Sequence, residues 1–295
     1  MNYRIVSDGD CDLGPAIARE KDITVVPFYV SFDDTTYQKE IVEIGIRDFY
    51  ERMVSDPATF PKSSMPSVQD YVDVFTPIVE AGEAIICMCI TVKFSGSYQS
   101  AMTARDMVLE EHPDARITVM DTTMDTVLQG IYVLEAAKLR DAGVSYEEAV
   151  ARLEAVKETG RIFFTVGSID YLQHGGRIGK VAGVAVSVLG IKPLITLKEG
   201  EIFSSGIARG RKKSLDKVIA LLKDYLKEQN ATPETYTIVV GYGYDIEEAE
   251  QFRKTVIAEL SDLFGEYQIE KFQIGATISV HTGPYPLGVG VLKHA

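Results

Sequence analysis

Apolar runs of strand length alternate with stretches of helical period through the first half of the chain. Tyr3–Ser7, Ile23–Tyr29, Ala84–Ile90 and Arg116–Met120 read as strands. Between them Val68, Tyr71, Val72, Phe75, Ile78 and Val79 recur at spacings of three and four. That spacing predicts an amphipathic helix over Val68–Ala81, ending near Gly82. Tyr98, Ala101, Met102 and Met107 predict a second helix. Val127, Ile131, Leu134 and Ala137 predict a third, closed by Asp141-Ala142-Gly143. Strand and helix in alternation imply βαβ units and a mostly parallel, Rossmann-like sheet.

A further helix is expected from Ser145 to about Glu158, and Thr159-Gly160 then marks a boundary. Beyond it the order changes. A strand over Arg161–Val166 leads to a short helix, a Gly-rich turn and an apolar helix. Two strands, Ile191–Leu197 and Glu201–Ile207, are joined at Glu199-Gly200 as an antiparallel hairpin. Helix, strand, helix, strand and strand follow, the strand Ala276–Val280 running up to His281. The expected fold class is therefore α/β in two domains. Residues 1–160 form an α/β domain and residues 161–295 an α+β domain.

Composition narrows the function. The 295 residues are 46% hydrophobic and 25% charged, an ordinary globular balance that fits two domains with their own cores. The uncharged run Val181–Ile191 is about half of the roughly 20 residues that cross a bilayer. Arg4 and Asp8 interrupt the window where a signal peptide's apolar stretch would sit. Cys87 and Cys89 point to one face of a strand, and with Cys11 they read as small buried apolar residues in a reducing compartment. The expected location is the cytoplasm.

The net charge of −13 argues against general nucleic-acid binding. One window runs the other way. Arg177–Lys213 holds eight basic residues against two acidic ones, a local +6. It is either a solvated face, or an anion site or docking patch for an acidic partner.

Five stretches carry candidate chemistry. In Ser63-Ser64-Met65-Pro66-Ser67, Ser67 and Asp70 resemble a capping box, and the hydroxyls before the helix suit either a turn or an anion. Ser95-Gly96-Ser97 follows an apolar strand and opens a helix, the place where ligands bind in parallel α/β sheets. Asp8, Asp10 and Asp12 alternate after the first strand. They lack the Gly and Glu of a calcium loop, and turn or cap roles are their expected use. An Asp-x-Asp pair after a strand also begins an aspartyl-phosphate phosphatase, so a magnesium-dependent phosphatase using Asp8 and Asp10 is the alternative function. His174-Gly175-Gly176-Arg177 reads as a helix stop and turn, with Arg177 in an interdomain salt bridge or facing an anion; the residues favour the salt bridge. His281-Thr282-Gly283-Pro284 places a His before a Gly-Pro turn, either capped structurally or donating into a cleft. No histidine shows metal-ligand spacing, and no metal site is expected.

Together these stretches resemble the DegV family over almost the whole chain. The family's Asp-Ser-x-x-Asp-Leu corresponds to Asp8–Leu13, its Thr-Ser-x-Pro-Ser to Ser63–Ser67, and its Leu-Ser-Gly-Thr-Tyr-x-Ser-Ala to Phe94–Ala101. Gly-Gly-Arg-Ile stands unchanged at Gly175–Ile178, Ile-Lys-Pro at Ile191–Pro193, and His-x-Gly-Pro at His281–Pro284. Ser63 stands where Thr is usual and keeps the hydroxyl.

The resemblance implies a fatty-acid-binding protein, the lipid-carrying subunit of a bacterial fatty acid kinase, with a role in phospholipid metabolism. It implies an acyl chain buried within and between two α/β domains, and no cofactor beyond that ligand. Ser63, Ser95 and His281 would hold the carboxylate, with Arg177 fixing the network and Ser64, Gly96, Ser97 and Gly283 supporting it. A separate ATP-dependent kinase subunit would phosphorylate the carboxylate, docking at Arg209 and Arg211, and transient membrane contact is compatible with that role. The small-residue stretch Val181–Leu189 would serve either as a tunnel wall or as an ordinary buried helix. Burial is worth roughly 0.8 kcal/mol per CH₂, on the order of 10 kcal/mol gross for a dozen methylenes, so the tail would supply affinity and the hydroxyls orientation. A carrier or sensor for another apolar acid, with no kinase, is a third reading.

Overall fold

The computed structural model describes residues 2–181 and 190–295. The expected small-residue wall therefore lies outside the described residues apart from Val181, which is buried. The first half contains β1 (Tyr3–Asp8), a 3-10 turn (Gly9–Cys11), α1 (Pro15–Glu20), β2 (Ile23–Val26), β3 (Tyr29–Ser31) and β4 (Gln38–Lys39). Next come α2 (Ile46–Ser55), β5 (Lys62–Ser64), α3 (Val68–Glu80), β6 (Ala84–Cys89), α4 (Ser97–Glu111), β7 (Ile117–Asp121), α5 (Thr126–Asp141) and α6 (Tyr146–Val156). The second half contains β8 (Arg161–Thr165), α7 (Asp170–His174), β9 (Ile191–Lys198), β10 (Glu201–Arg209) and α8 (Arg211–Glu228). It closes with β11 (Tyr236–Tyr242), α9 (Ile246–Phe264), β12 (Glu270–Gln273), α10 (Ala276–Thr282) and β13 (Leu287–Lys293).

β2, β1, β6 and β7 form a parallel sheet in that order. Central β6 is buried along its whole length, which is why its sequence is an unbroken apolar run. Alternate residues feed two cores. Ile85, Cys87 and Cys89 pack with Tyr71 and Phe75 of α3 and Ala101 and Ala104 of α4. Ile86 and Met88 face the α5 side. The cysteines are free and buried, with the Cys87 and Cys89 sulfurs 3.9 Å apart on one face.

The second sheet has the order β10-β9-β8-β13-β11-β12, antiparallel except for β11 with β12. α8 and α9 cover one face through Val218, Leu222, Phe252 and Val256. α5 covers the other, packing Val127, Leu128 and Ile131 into one core with Ile195, Val239 and Leu292. A helix held between two sheets is buried nearly all round, and α5 is, with Gln129 and Glu135 among its buried residues. The hairpin turn falls at Glu199-Gly200 as the sequence predicts. Both residues have positive φ, 54° and 77°, the geometry that matches the twist of two antiparallel strands.

Two expectations are corrected. Ile23–Tyr29 is not one strand, because Pro27 breaks it into β2 of the parallel sheet and β3 of a small antiparallel sheet, β4-β3-β5. Ala276–Val280 is not a strand but most of α10. Its β-branched sequence favours a strand, but the buried carboxylate of Glu40 accepts from the Ala276 and Thr277 N–H groups and the Thr277 hydroxyl. That tertiary cap satisfies the donors at the head of α10 and overrides local propensity.

Candidate ligand-binding site

A cavity of about 250 Å³ opens at the carboxyl edge of the parallel sheet, where ligands of such sheets bind. Phe28 enters it after β2, Phe94, Ser95 and Gly96 after β6, and Asp125 after β7. The opposing wall comes from Ser63 and Ser64 of β5, Phe164 of β8, Leu172 of α7, Ile202 of β10, and Ile278 and His281 of α10. A second cavity of about 30 Å³ shares Asp125, Phe164, Ile278 and Thr282 with it and continues to Val127, Ile162 and Leu287.

The polar groups are contiguous. Ser63 Oγ lies 3.4 Å from His281 Nε2. His281 Nδ1 has no hydrogen-bond partner among the described residues. It sits so close to Gly175 that a Cβ there would lie 2.0 Å from it, so any side chain at 175 would displace the ring. Burial, reinforced by Arg177, pushes the His281 imidazole down to about 4. The ring is therefore neutral at pH 7, and an anion beside it would draw its affinity for a proton back up.

Ser95 Oγ accepts from the Ser97 N–H at 3.2 Å. This occupies a lone pair and leaves the Ser95 O–H free to donate. Gly96 caps α4 without a side-chain bond, so the head of a 15-residue helix faces the same place. The mouth thus presents hydroxyl, imidazole and helix-end donors to a cavity walled mainly by Phe28, Ile90, Phe164, Leu172, Ile202 and Ile278, a set that suits a carboxylate with a long apolar tail.

Arg177 makes no salt bridge among the described residues, against the expected interdomain ion pair. Its Nε and Nη2 donate to the Phe94 carbonyl at 3.2 Å, and its Nη1 donates to the Gly175 carbonyl at 2.7 Å. It straps the Ser95 loop to the turn behind His281. Ser97 and Gly283 are not in the cavity wall. The buried Ser97 hydroxyl donates to Asp8 Oδ2 at 2.7 Å and meets the Tyr71 hydroxyl. Gly283 ends α10 at φ 74°, packed against the Tyr171 ring. The anion argument for the head of α3 also changes. Ser67 and Asp70 close that end with a complete capping box, and Ser63 acts from β5.

The three aspartates do not cap their own turn. All are buried, and they reach across the molecule. Asp8 accepts from the Ile90 N–H, the Ser97 hydroxyl and the Gln129 amide. Asp10 accepts from the Thr126 N–H and Asp12 from the Thr126 hydroxyl. Burial pushes Asp8 up to about 6. Burial and neighbouring acids push Asp10 and Asp12 well above the usual carboxylate range. Both Asp8 oxygens are occupied and enclosed, which leaves a phosphatase nucleophile no approach. The described residues contain no cluster of three metal-ligating side chains. No helix among them is long and apolar enough to cross a membrane.

In the basic window Arg209 is exposed at the end of β10. Arg211 instead forms a two-point ion pair with Glu248 of α9. The reading from residues missed Asp125, whose neighbours Thr122–Thr126 look like a polar turn with no motif.

Fold and site together define an α/β protein with a cavity of mixed apolar and polar lining and a donor-lined mouth. A family model described as "Uncharacterised protein, DegV family" matches residues 2–294. The chain belongs to the DegV family. A DegV domain-containing protein of Deinococcus radiodurans is 31% identical over 291 residues, covering 99% of this chain and 98% of the relative. The structure is similar to that of a stearic acid-binding protein from Eubacterium ventriosum, with 44% identity, a TM-score of 0.93, and 99% and 98% of the two chains covered. A DegV family protein from Thermus thermophilus, described by its fatty acid binding, has 29% identity, a TM-score of 0.88, and 99% and 100% coverage.

Proposed function

We propose that this chain binds a long-chain fatty acid in the cavity, its carboxylate among Ser63, Ser95 and His281 and its tail along Phe28, Ile90, Phe164 and Ile278. One observation carries the reading. Hydroxyls from β5 and from the β6–α4 loop meet an imidazole from α10 at the mouth of an otherwise largely apolar cavity. The stearic acid-binding protein, at 44% identity, supports it. An eighteen-carbon chain would gain about 13 kcal/mol gross from burying its methylenes, of which association costs remove a large part. Arg177 acts as a positioning residue, its donors taken by two backbone carbonyls.

The chain then presents the carboxylate to a separate kinase subunit in the cytoplasm, which forms the acyl phosphate. The resemblance supports the kinase, and the free, buried cysteines support the compartment. Arg209, exposed beside the ion-paired Arg211, is the residue offered to that partner.

Denaturing extraction of the purified protein, followed by lipid mass spectrometry, tests the binding. A stoichiometric fatty acid is expected. Protein that yields no lipid and takes up no added fatty acid rejects the reading. Arg209→Glu should weaken coupling to the kinase and spare lipid retention; unchanged coupling removes Arg209 from the docking surface.

A further inference from the structure

One group in the cavity wall is not used by the carboxylate site. Asp125 lines both the main cavity and the smaller one that continues it. Only 9% of it is exposed. Its carboxyl makes no hydrogen bond to any described residue, and its Oδ1 is fully enclosed.

An aspartate at the head of a helix ordinarily caps it. Asp125 holds the cap position of α5 and makes no cap bond. Asp10 accepts from the N–H of Thr126, the first residue of α5, and Asp12 from the Thr126 hydroxyl. Thr126 is held at φ 44°, a conformation that β-branched residues rarely adopt. The acidic cluster thus fixes the head of α5, and Asp125 stands in the cavity wall with a carboxyl that is not bonded to its own backbone.

The charged neighbours it acts on, Asp10 and Asp12, are themselves acids, so no cation among the described residues balances it there. Burial pushes Asp125 up to about 7. Much of it is the neutral acid at pH 7, which offers one O–H donor and one carbonyl acceptor. A hydroxyl on an acyl chain offers the complementary pair. A fully saturated chain offers neither.

We propose that Asp125 is a specificity-determining residue that selects a hydroxylated long-chain fatty acid, hydrogen-bonding a mid-chain hydroxyl while the carboxylate sits at Ser63, Ser95 and His281. This rests on the fatty-acid reading and adds the class of chain.

The test measures wild-type affinity for stearate and for a positional series of monohydroxystearates, with the hydroxyl on successive mid-chain carbons. One position should bind about tenfold tighter than its neighbours and than stearate, the worth of one good hydrogen bond in a dry site. That preference should vanish in Asp125→Ala and survive in part in Asp125→Asn. A flat wild-type series overturns the proposal, as does a preference that Asp125→Ala leaves unchanged. Tight stearate binding with no positional preference leaves the fatty-acid reading standing and removes only this one. Failure of wild type to bind any member rejects both.

Discussion

The molecule holds two polar clusters side by side, and they are built in opposite ways. The cluster of Ser63, Ser95 and His281 keeps donors in reserve. Ser95 accepts a bond and keeps its O–H, while His281 Nδ1 has no partner among the described residues. The cluster of Asp8, Asp10, Asp12 and Glu40 turns most of its acceptors on the protein, on Ile90, Ser97, Gln129, Thr126, Ala276 and Thr277, and the one oxygen of Asp10 without a partner among the described residues, Oδ1, is enclosed away from the cavity wall. The first faces a cavity and the second is closed. Unspent hydrogen-bonding capacity beside open space marks a ligand site, and capacity turned inward marks scaffold. Acidic residues in a recognisable pattern point to Asp8 and Asp10 as possible chemistry, and their complete enclosure, with the bonds they accept from Ile90, Ser97, Gln129 and Thr126, assigns them to structure. Asp125 belongs by sequence to the second group and by its unspent carboxyl to the first.

The comparison breaks most visibly at Asp8. Asp8→Ala leaves the Ile90 N–H buried without an acceptor and takes one partner each from the Ser97 hydroxyl, which keeps Tyr71, and the Gln129 amide, which keeps Ser7. One orphaned group costs about 1–3 kcal/mol and two weakened ones add to it, so a loss of about 2–3 kcal/mol is expected in a urea unfolding curve. A loss below about 1 kcal/mol would show that the hub is not structural.

At the mouth the effect should move from stability to affinity. In Ser63→Ala with Ser95→Ala, unfolding should change by less than about 1 kcal/mol, because both side chains are half-exposed and bond weakly within the protein. Fatty-acid affinity should fall about thirtyfold, or about 2 kcal/mol for two charge-assisted donors. Competition with a methyl ester sharpens the point. The ester keeps only a neutral, weaker acceptor, so the double variant should cost it clearly less affinity than it costs the acid, and an equal loss for both would place the serines along the tail.

pH separates the clusters by sign. His281 is held down at about 4, so the unfolded chain takes its proton first as pH falls. Stability from the neutral ring is complete above about 6.5 and drains away as pH drops toward 4. Asp8, raised to about 6, runs the other way, its folded form gaining relative to the unfolded one over part of the same window. Total stability therefore hides both. Lipid-free wild type should lose about 1–2 kcal/mol more than His281→Gln between pH 7.5 and pH 5. Parallel curves for the two proteins would mean that the imidazole is not desolvated in the folded state.

What the sequence made legible follows the range of the interactions. The β6 run, the Ser67–Asp70 box and the Glu199-Gly200 turn are local, and each appears where local rules put it. α10 was misread because its cap, Glu40, lies 236 residues away from Ala276. Arg177 was misread because its partners are backbone carbonyls, which carry no sequence signal. Ser63, Ser95, Arg177 and His281 were singled out through motifs, and their meeting at one mouth is a tertiary fact. Asp125 was invisible, since an aspartate before a helix is an ordinary cap until its bonds are counted.

The smallest predicted effect is the most specific. Gly175 has φ −74°, so alanine meets no backbone strain there. Its Cβ would collide first with the His281 ring, 2.0 Å from Nδ1 and 2.9 Å from Cε1. The ring must turn away, and its contact with Ser63, already 3.4 Å, would be the one to open. Gly175→Ala should therefore keep wild-type unfolding within about 0.5–1 kcal/mol. It should weaken fatty-acid binding about fivefold, about 1 kcal/mol. In the background of His281→Ala the same substitution should cost nothing further, because the group it displaces is gone. Additive losses in the double variant would mean that Gly175 acts through the Arg177 strap instead of through the imidazole.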